Sequence, residues 1–216
     1  MHRFLDMLVF GGERRAEVTY SPSHWRRLFH ILGGSSIPLA GIFFSETVII
    51  SVLAFLAGGG LALDLVRFQV GWLNSLFLRC LSPLLKEDEG AHITGATYMV
   101  VAALLAFVLY GREVAIPVMF FLSLGDPAAA IVGKCMPGPR FQNKSPFGAA
   151  AFIVVGAGAS VVLVAANGIE HYWAIWVGVA VAGTVEFASI PPDDNLSIPL
   201  LAGCVMFVLG PEVRVR

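Results

Sequence analysis

Apolar runs close to the thickness of a bilayer recur along the chain, separated by short polar segments. A helix crossing the hydrocarbon core needs roughly 20 predominantly apolar residues. Residues 28–44, 47–66, 93–110, 114–133, 147–166 and 172–188 approach that length, and 196–209 is a shorter last run. The pattern predicts an all-α, polytopic membrane bundle of about seven transmembrane helices. Two segments read differently. Residues 68–85 set Trp72, Phe77, Leu81 and Leu84 among Gln69, Asn74 and Arg79, which predicts an amphipathic helix lying in the membrane interface. Residues 1–10 carry Arg3 and Asp6 beside an apolar run too short for a signal-peptide core, and read as a second surface segment. The expected organisation is an interfacial N-terminal segment (1–27), one membrane domain (28–209) and a short tail (210–216). Within the spans, Ala174, Gly178 and Ala182, and Gly156 and Ser160, recur at four-residue spacing, which lets helices approach closely.

Composition supports the bilayer as solvent. Of 216 residues 57% are hydrophobic and 13% charged, with a mean hydropathy of +0.79. A soluble domain carries roughly twice that charged fraction. The 14 Lys and Arg against 15 Asp and Glu leave a net charge of −1, which argues against a nucleic-acid partner. Cys80, Cys135 and Cys204 form neither a CxxC pair nor a zinc spacing, and read as packing residues.

The distribution of charge is more informative than its sum. With the N-terminus in the cytoplasm and seven alternating spans, 11 of the 14 basic residues fall on the cytoplasmic side: Arg3, Arg14, Arg15, Arg26, Arg27, Arg67, Arg79, Lys86, Lys134, Arg140 and Lys144. Only Arg112, Arg214 and Arg216 fall beyond the membrane. The polar segments 86–92, 134–145 and 189–195 converge on the same cytoplasmic face, where a soluble cosubstrate would meet them.

Polar groups at membrane depth are costly and mark function. Asp126 sits within an apolar run as Gly125-Asp126-Pro127, and Pro127 lacks a backbone donor, so a broken helix is expected there. Residues 133–148 follow, with three glycines, three prolines, Lys134, Arg140, Lys144 and Ser145. Backbone amides and cations in such a loop suit a polyphosphate. The loop is not a Walker A motif, because G-x-x-x-x-G-K-[ST] occurs nowhere in the chain. Near the end, Glu186, Asp193, Asp194 and Asn195 gather hard oxygen donors suited to Mg²⁺ carrying substrate phosphates, although one aspartate can serve as the cap of the last helix. Arg26, Arg27 and His30 stand at the start of the first span, as a basic anchor or a phosphate contact. Asp64 and Arg67 are spaced to pair on one helix face, and residues 89–98 open the third span with Glu89, His92, Thr94, Thr97 and Tyr98.

These residues, in order, resemble the polyprenol kinase family, which includes dolichol kinase, the plant phytol and farnesol kinases and the yeast CTP-dependent diacylglycerol kinase. The likeness rests on Arg26-Arg27-x-x-His30, Ile93-Thr-Gly-Ala-Thr-Tyr98, Leu124-Gly-Asp-Pro-Ala-Ala-Ala-x-x-Gly-Lys134, Lys144-Ser-x-x-Gly148 and Asp193-Asp-Asn-Leu-x-Ile-Pro199, spanning roughly residues 24 to 209. It is also distantly similar to phosphatidate cytidylyltransferases. The resemblance implies transfer of the γ-phosphate of CTP to the hydroxyl of a membrane lipid alcohol, with Mg²⁺. It implies catalytic roles for Asp126 and Lys144. It places Asp126, Lys134, Lys144, Ser145, Asp194 and Asn195 around the nucleotide and its Mg²⁺, and Gly125, Gly133, Arg140, Gly148, Arg27 and His30 are expected beside the nucleotide with them. Asp126, Asp193, Asp194 and Glu186 are the expected metal ligands, Thr94, Thr97 and Tyr98 the expected substrate contacts, and a homodimer is left open. The loop Cys135-Met-Pro-Gly-Pro departs from the shorter turn common in relatives.

Two other classes compete. A cytidylyltransferase would attack the α-phosphate of CTP; Lys144-Ser-Pro-Phe-Gly148 and Asp193-Asp-Asn lean towards the kinase. A small transporter would also use an intramembrane aspartate, but it predicts a second matching break, and Gly125-Asp126-Pro127 has no counterpart in the sequence.

Overall fold

The computed structural model describes residues 24–85, 89–166 and 173–210. Arg3, Arg14, Arg15, Lys86, Arg214, Arg216 and the surface segment expected over 1–10 lie outside them. The described chain is helical: α1 (His24–Phe43), α2 (Glu46–Gln69), α3 (Gly71–Leu81), α4 (Gly95–Tyr110), α5 (Arg112–Phe120), a π-helical turn (Phe121–Gly125), α6 (Asp126–Cys135), α7 (Pro146–Ala165), α8 (Ala174–Ala188) and α9 (Asp194–Leu209). The expected spans and the surface helix each find a helical counterpart. By length and composition, α2, the continuous α5–α6 unit and α7 can cross a membrane, while α4, α8 and α9 are shorter apolar helices.

The α5–α6 unit forms the axis of the bundle, packed by α1, α4, α7, α8 and α9. Its most apolar stretch is 72% buried, against 22% for that of α2. Phe121, Leu122, Ile116 and Met119 on the axis, with Phe107, Phe152, Ile175, Ile198 and Met206 around it, make up the core. Outward faces are apolar as well: Phe55 of α2 and Val154 of α7 are 80% and 70% exposed, as suits contact with lipid rather than water.

Small residues set the spacing. Helix α1 turns Gly34, Pro38 and Gly41 towards the axis, one below the other. A Cβ on Gly41 would stand 2.8 Å from the Phe107 ring, and one on Gly34 would stand 2.8 Å from the Ser123 Cβ. Ser35 and Ser123 hydrogen-bond at 3.0 Å across this contact.

The expected break at Gly125-Asp126-Pro127 takes another form. Gly125 and Asp126 both keep right-handed helical torsions, and the irregularity is the π-turn over Phe121–Gly125. Widening the helix by one residue accommodates Pro127 without unwinding it. Asp126 therefore leaves the axis directly below a π-bulge, a feature frequent at functional sites.

Candidate active site

One end of the bundle opens into a cavity of about 440 Å³. Its described lining includes five Lys or Arg side chains (Arg26, Arg27, Lys134, Arg140, Lys144) and four carboxylates (Glu89, Asp126, Glu186, Asp194). Arg112 instead bonds the Ile42 carbonyl at the far end of α1 from Arg26 and Arg27. Among the described residues, then, five basic side chains meet at this cavity while Arg112 stands at the other end of α1.

Local chemistry explains how Lys144 reaches the centre. Phe141 and Lys144 exchange both backbone hydrogen bonds, at 2.9 and 2.8 Å, across a turn whose central residues, Gln142 and Asn143, have φ of 46° and 66°. Two successive positive φ values define the tight mirror-image turn, and asparagine tolerates that conformation. The loop is fastened to α6 by Arg140, which donates to the Gly133 carbonyl at 2.9 Å. Ser145 then caps α7, accepting from the Phe147 amide at 3.3 Å, with Pro146 in the first turn.

So held, the Lys144 ammonium bonds Glu186 Oε1 at 2.8 Å and Asp194 Oδ2 at 2.7 Å. Glu186 belongs to the last turn of α8, whose C-terminus is closed by Ser189 in the left-handed region, with φ 49°. Asp194 opens α9. Burial alone would lower the Lys144 pKa; the facing carboxylates of Asp194 and Glu186 outweigh it and hold the group well above its ordinary 10.5. The other Glu186 oxygen, Oε2, is buried without a hydrogen-bond partner. The Nε of Arg27 is in the same condition. Orphaned buried polar atoms are rare, and both of these belong to cavity-lining residues.

Asp126 faces the same space. His30 of α1 places Nε2 4.0 Å from Asp126 Oδ2 and 3.4 Å from the Leu122 carbonyl in the π-turn. The residues drawn to one cavity from distant parts of the sequence therefore include Arg27, His30, Thr94, Asp126, Gly133, Lys134, Arg140, Lys144, Ser145, Gly148, Glu186, Asp194 and Asn195.

Other expected site residues stand elsewhere. Asp193 is the cap of α9: one carboxylate oxygen accepts from the Asn195 amide at 2.9 Å and its side-chain nitrogen at 2.7 Å. It is absent from the described cavity lining, as are Thr97, Tyr98 and Gly125. Thr97 lies against Gly60 of α2, and its hydroxyl pairs with that of Thr94 at 3.0 Å. Gly125 is covered by the Phe152 ring, which a Cβ would approach to 2.8 Å. Gly148 crosses α6 so closely that a Cβ would stand 2.8 Å from the Ala129 carbonyl oxygen. Helix packing alone thus requires the small residue at 125 and 148.

In sequence Glu89 is one member of a polar segment; in the fold its carboxylate anchors the cavity wall by accepting from the Gly95 amide at 2.7 Å. The signal was an acid shortly before a helix start. Phe77, Leu81, Leu84 and Leu85, which the sequence presents as the apolar face of an amphipathic segment, line the cavity as well.

Among the described residues no three His, Cys, Asp or Glu side chains gather as a metal cage. Asp193 is spent on capping, and Lys144 stands between Glu186 and Asp194.

No family model matches the chain, and no solved structure does. The chain is 27% identical over 194 residues to an uncharacterised protein of Rickettsia prowazekii, covering 87% of this chain and 94% of that one. It is 24% identical over 161 residues to the CTP-dependent diacylglycerol kinase 1 of Schizosaccharomyces pombe, covering 68% and 74%. The Saccharomyces cerevisiae protein of the same name is 28% identical over 97 residues, 44% of this chain and 33% of that protein. The chain is thus distantly similar to proteins that are lipid kinases.

Proposed function

We propose that the protein is a membrane lipid kinase that moves the γ-phosphoryl group of CTP to the hydroxyl of a lipid alcohol. The observation that carries this reading is the convergence of Lys134, Arg140 and Lys144 with Asp126, Glu186 and Asp194 in one cavity. Phosphoryl transfer asks little covalent chemistry of a protein; it needs charge neutralisation and in-line positioning. Lys144, Lys134 and Arg140 hold the phosphates. Asp126 receives the proton of the acceptor hydroxyl as its oxygen bonds to the γ-phosphorus and the bond to the β-phosphate oxygen breaks, releasing CDP. His30, 4.0 Å away, orients that carboxylate.

A divalent cation fits the donors present. Mg²⁺ is usually held by one or two carboxylates plus phosphate oxygens and water, not by an all-protein cage. The unpartnered Oε2 of Glu186, with Asp194, offers such a pair of ligands, and Asp126 is a rival third. Bound there, Mg²⁺ would neutralise charge on the phosphates. In this reading Lys144 leaves the carboxylates for the nucleotide when the two arrive together.

The test is direct. Detergent-purified protein with Mg²⁺ and γ-labelled CTP or ATP is offered diacylglycerol, farnesol, geranylgeraniol, phytol and a long polyprenol in turn. Label passing from CTP to one lipid is the expected result and names the acceptor. Pyrophosphate release on adding phosphatidate, with no labelled lipid, would assign a cytidylyltransferase instead.

A further inference from the structure

The cavity is not uniformly polar. Its charged lining comes from the start of α1, both ends of α6, the α6–α7 loop, the end of α8 and the start of α9, with Glu89 before α4. A second part is aliphatic and aromatic: Phe29 of α1, Phe77 and Leu81 of α3, Leu84 and Leu85 just beyond it, and Met99 of α4. Most of this wall does not suit a nucleotide. Phosphates seek the cations, and four of the six residues are aliphatic; of the two rings, Phe77 is already faced by the Arg67 guanidinium, which leaves Phe29 to stack on a base. One cavity that is ionic in one part and aliphatic in another matches an amphiphile.

We propose that these six residues form the channel for the hydrocarbon chain of the acceptor lipid, with α3 as its outer wall. The inference rests on the lipid-kinase reading for the chemistry of the head group, and deepens it by saying where the chain lies.

The wall is held rigidly. Arg67 of α2 donates to Asn74 Oδ1 of α3 at 2.8 Å, and its guanidinium lies 4.5 Å from the centroid of the Phe77 ring. Leu85 is buried, and Phe77, Leu81 and Leu84 are half-buried, so the channel is sheltered without being closed. On its other side α3 exposes Trp72 and Leu76, with Arg79 beside them, the arrangement of a helix resting at the membrane interface. A chain entering there would bring its hydroxyl towards Asp126 while its tail stays in apolar surroundings. Thr94, buried in the cavity lining, is the one expected substrate contact that falls beside this path.

The experiment uses the whole protein in liposomes with two probes: a diacylglycerol with a photoactivatable diazirine on its acyl chain, and a prenyl alcohol bearing the same group. Cross-linked peptides are mapped by mass spectrometry. Phe55 on the outward face of α2 is 80% exposed and reports ordinary bilayer contact. The expected result is labelling within residues 77–85 that excess unlabelled lipid alcohol suppresses, with labelling at Phe55 that it does not. Equal, uncompeted labelling at both places overturns the channel, as does competed labelling confined to α7 or α8. The mapping reads binding alone, so a wild-type protein that labels at 77–85 but phosphorylates no lipid would refute the kinase reading and keep the channel. In an active protein, Leu81→Ser and Leu84→Ser should each raise the KM for lipid about tenfold with the KM for CTP unchanged, the loss of roughly one side chain's apolar contact. A parallel rise in both constants would overturn the assignment.

Discussion

Two ionic clusters stand at the same end of this bundle, one buried and one half-buried, and they are built to opposite specifications. Around Arg67, which is fully buried, all five guanidinium hydrogens are matched. Nε donates to Asp64 Oδ1 at 2.7 Å, one terminal nitrogen to Asn74 and the Gly90 carbonyl, and the other to the carbonyls of Glu89 and His92 at 2.9 and 2.6 Å. The second oxygen of Asp64 accepts from the Thr94 amide at 3.1 Å. Around Lys144 one ammonium is shared by two carboxylates, and Glu186 Oε2 has no partner. A buried charge with every valence met holds a structure together; one left under-satisfied is poised for a ligand. The Arg67 cluster ties α2, α3 and the segment before α4 into one wall. The Lys144 cluster faces the open cavity. The clusters also differ in balance and depth: Arg67 meets one carboxylate and is shut from solvent, while Lys144 meets two and is 22% exposed, so depth, balance and completeness of hydrogen bonding together separate scaffold from site.

The largest effect that would sharpen this contrast is at Asp126. Asp126→Asn should lower lipid phosphorylation by about 10³-fold or more, in the range of a lost general base, with the melting temperature unchanged. Near-wild-type turnover would remove Asp126 from the chemistry.

Next come the two cations. Arg67→Ala strands Asp64, which is 1% exposed, and should cost about 3–5 kcal/mol of stability by thermal unfolding in detergent. Replacing both members, as Asp64→Asn with Arg67→Met, should recover part of that loss, since no unpaired charge is then left. Any folded fraction should keep its KM for CTP. Lys144→Ala should show the opposite profile: turnover is lost, while Lys144→Ala with Glu186→Gln regains stability and not activity. If the Arg67 variants lost activity without losing stability, the division between scaffold and site would fail.

Acidity separates the pair further. The Lys144 pKa is raised in the folded state above its ordinary 10.5, so its ion pairs contribute fully below that pH and are lost only as pH climbs through the folded value. The difference in melting temperature between wild type and Lys144→Met should therefore be flat from about pH 8 to 10 where only this group is concerned, and shrink above 10.5. A difference that already collapses near neutrality would contradict the geometry.

The smallest expected change is at a crossing. Gly148→Ala forces a Cβ to 2.8 Å from a backbone oxygen of α6, and should destabilise by about 1–3 kcal/mol while leaving nucleotide preference intact.

Much of this was legible in the chain. Apolar runs located the helices because a bilayer demands continuous apolar surface, and the basic residues foretold which ends would meet. Asp126 stood out because a carboxylate in an apolar run is expensive. The pairing of Asp64 with Arg67 could be read from i, i+3 spacing, since a helix makes neighbours of such residues. What required the fold were relations between distant segments and the choice among equivalent residues. Neighbouring aspartates look alike in sequence, yet Asp193 turns to cap α9 while Asp194 turns to Lys144, because the start of a helix sends consecutive side chains in different directions. Pro127 announced a disturbance but not its kind; packing of the axis on five neighbouring helices favours a π-turn that keeps its hydrogen bonds over an unwound segment. The order of residues alone shows a helical bundle and the basic segments that meet at one cavity. Which charges are fully matched emerges only on folding, because hydrogen-bond completeness is a property of where segments far apart in the chain come to rest.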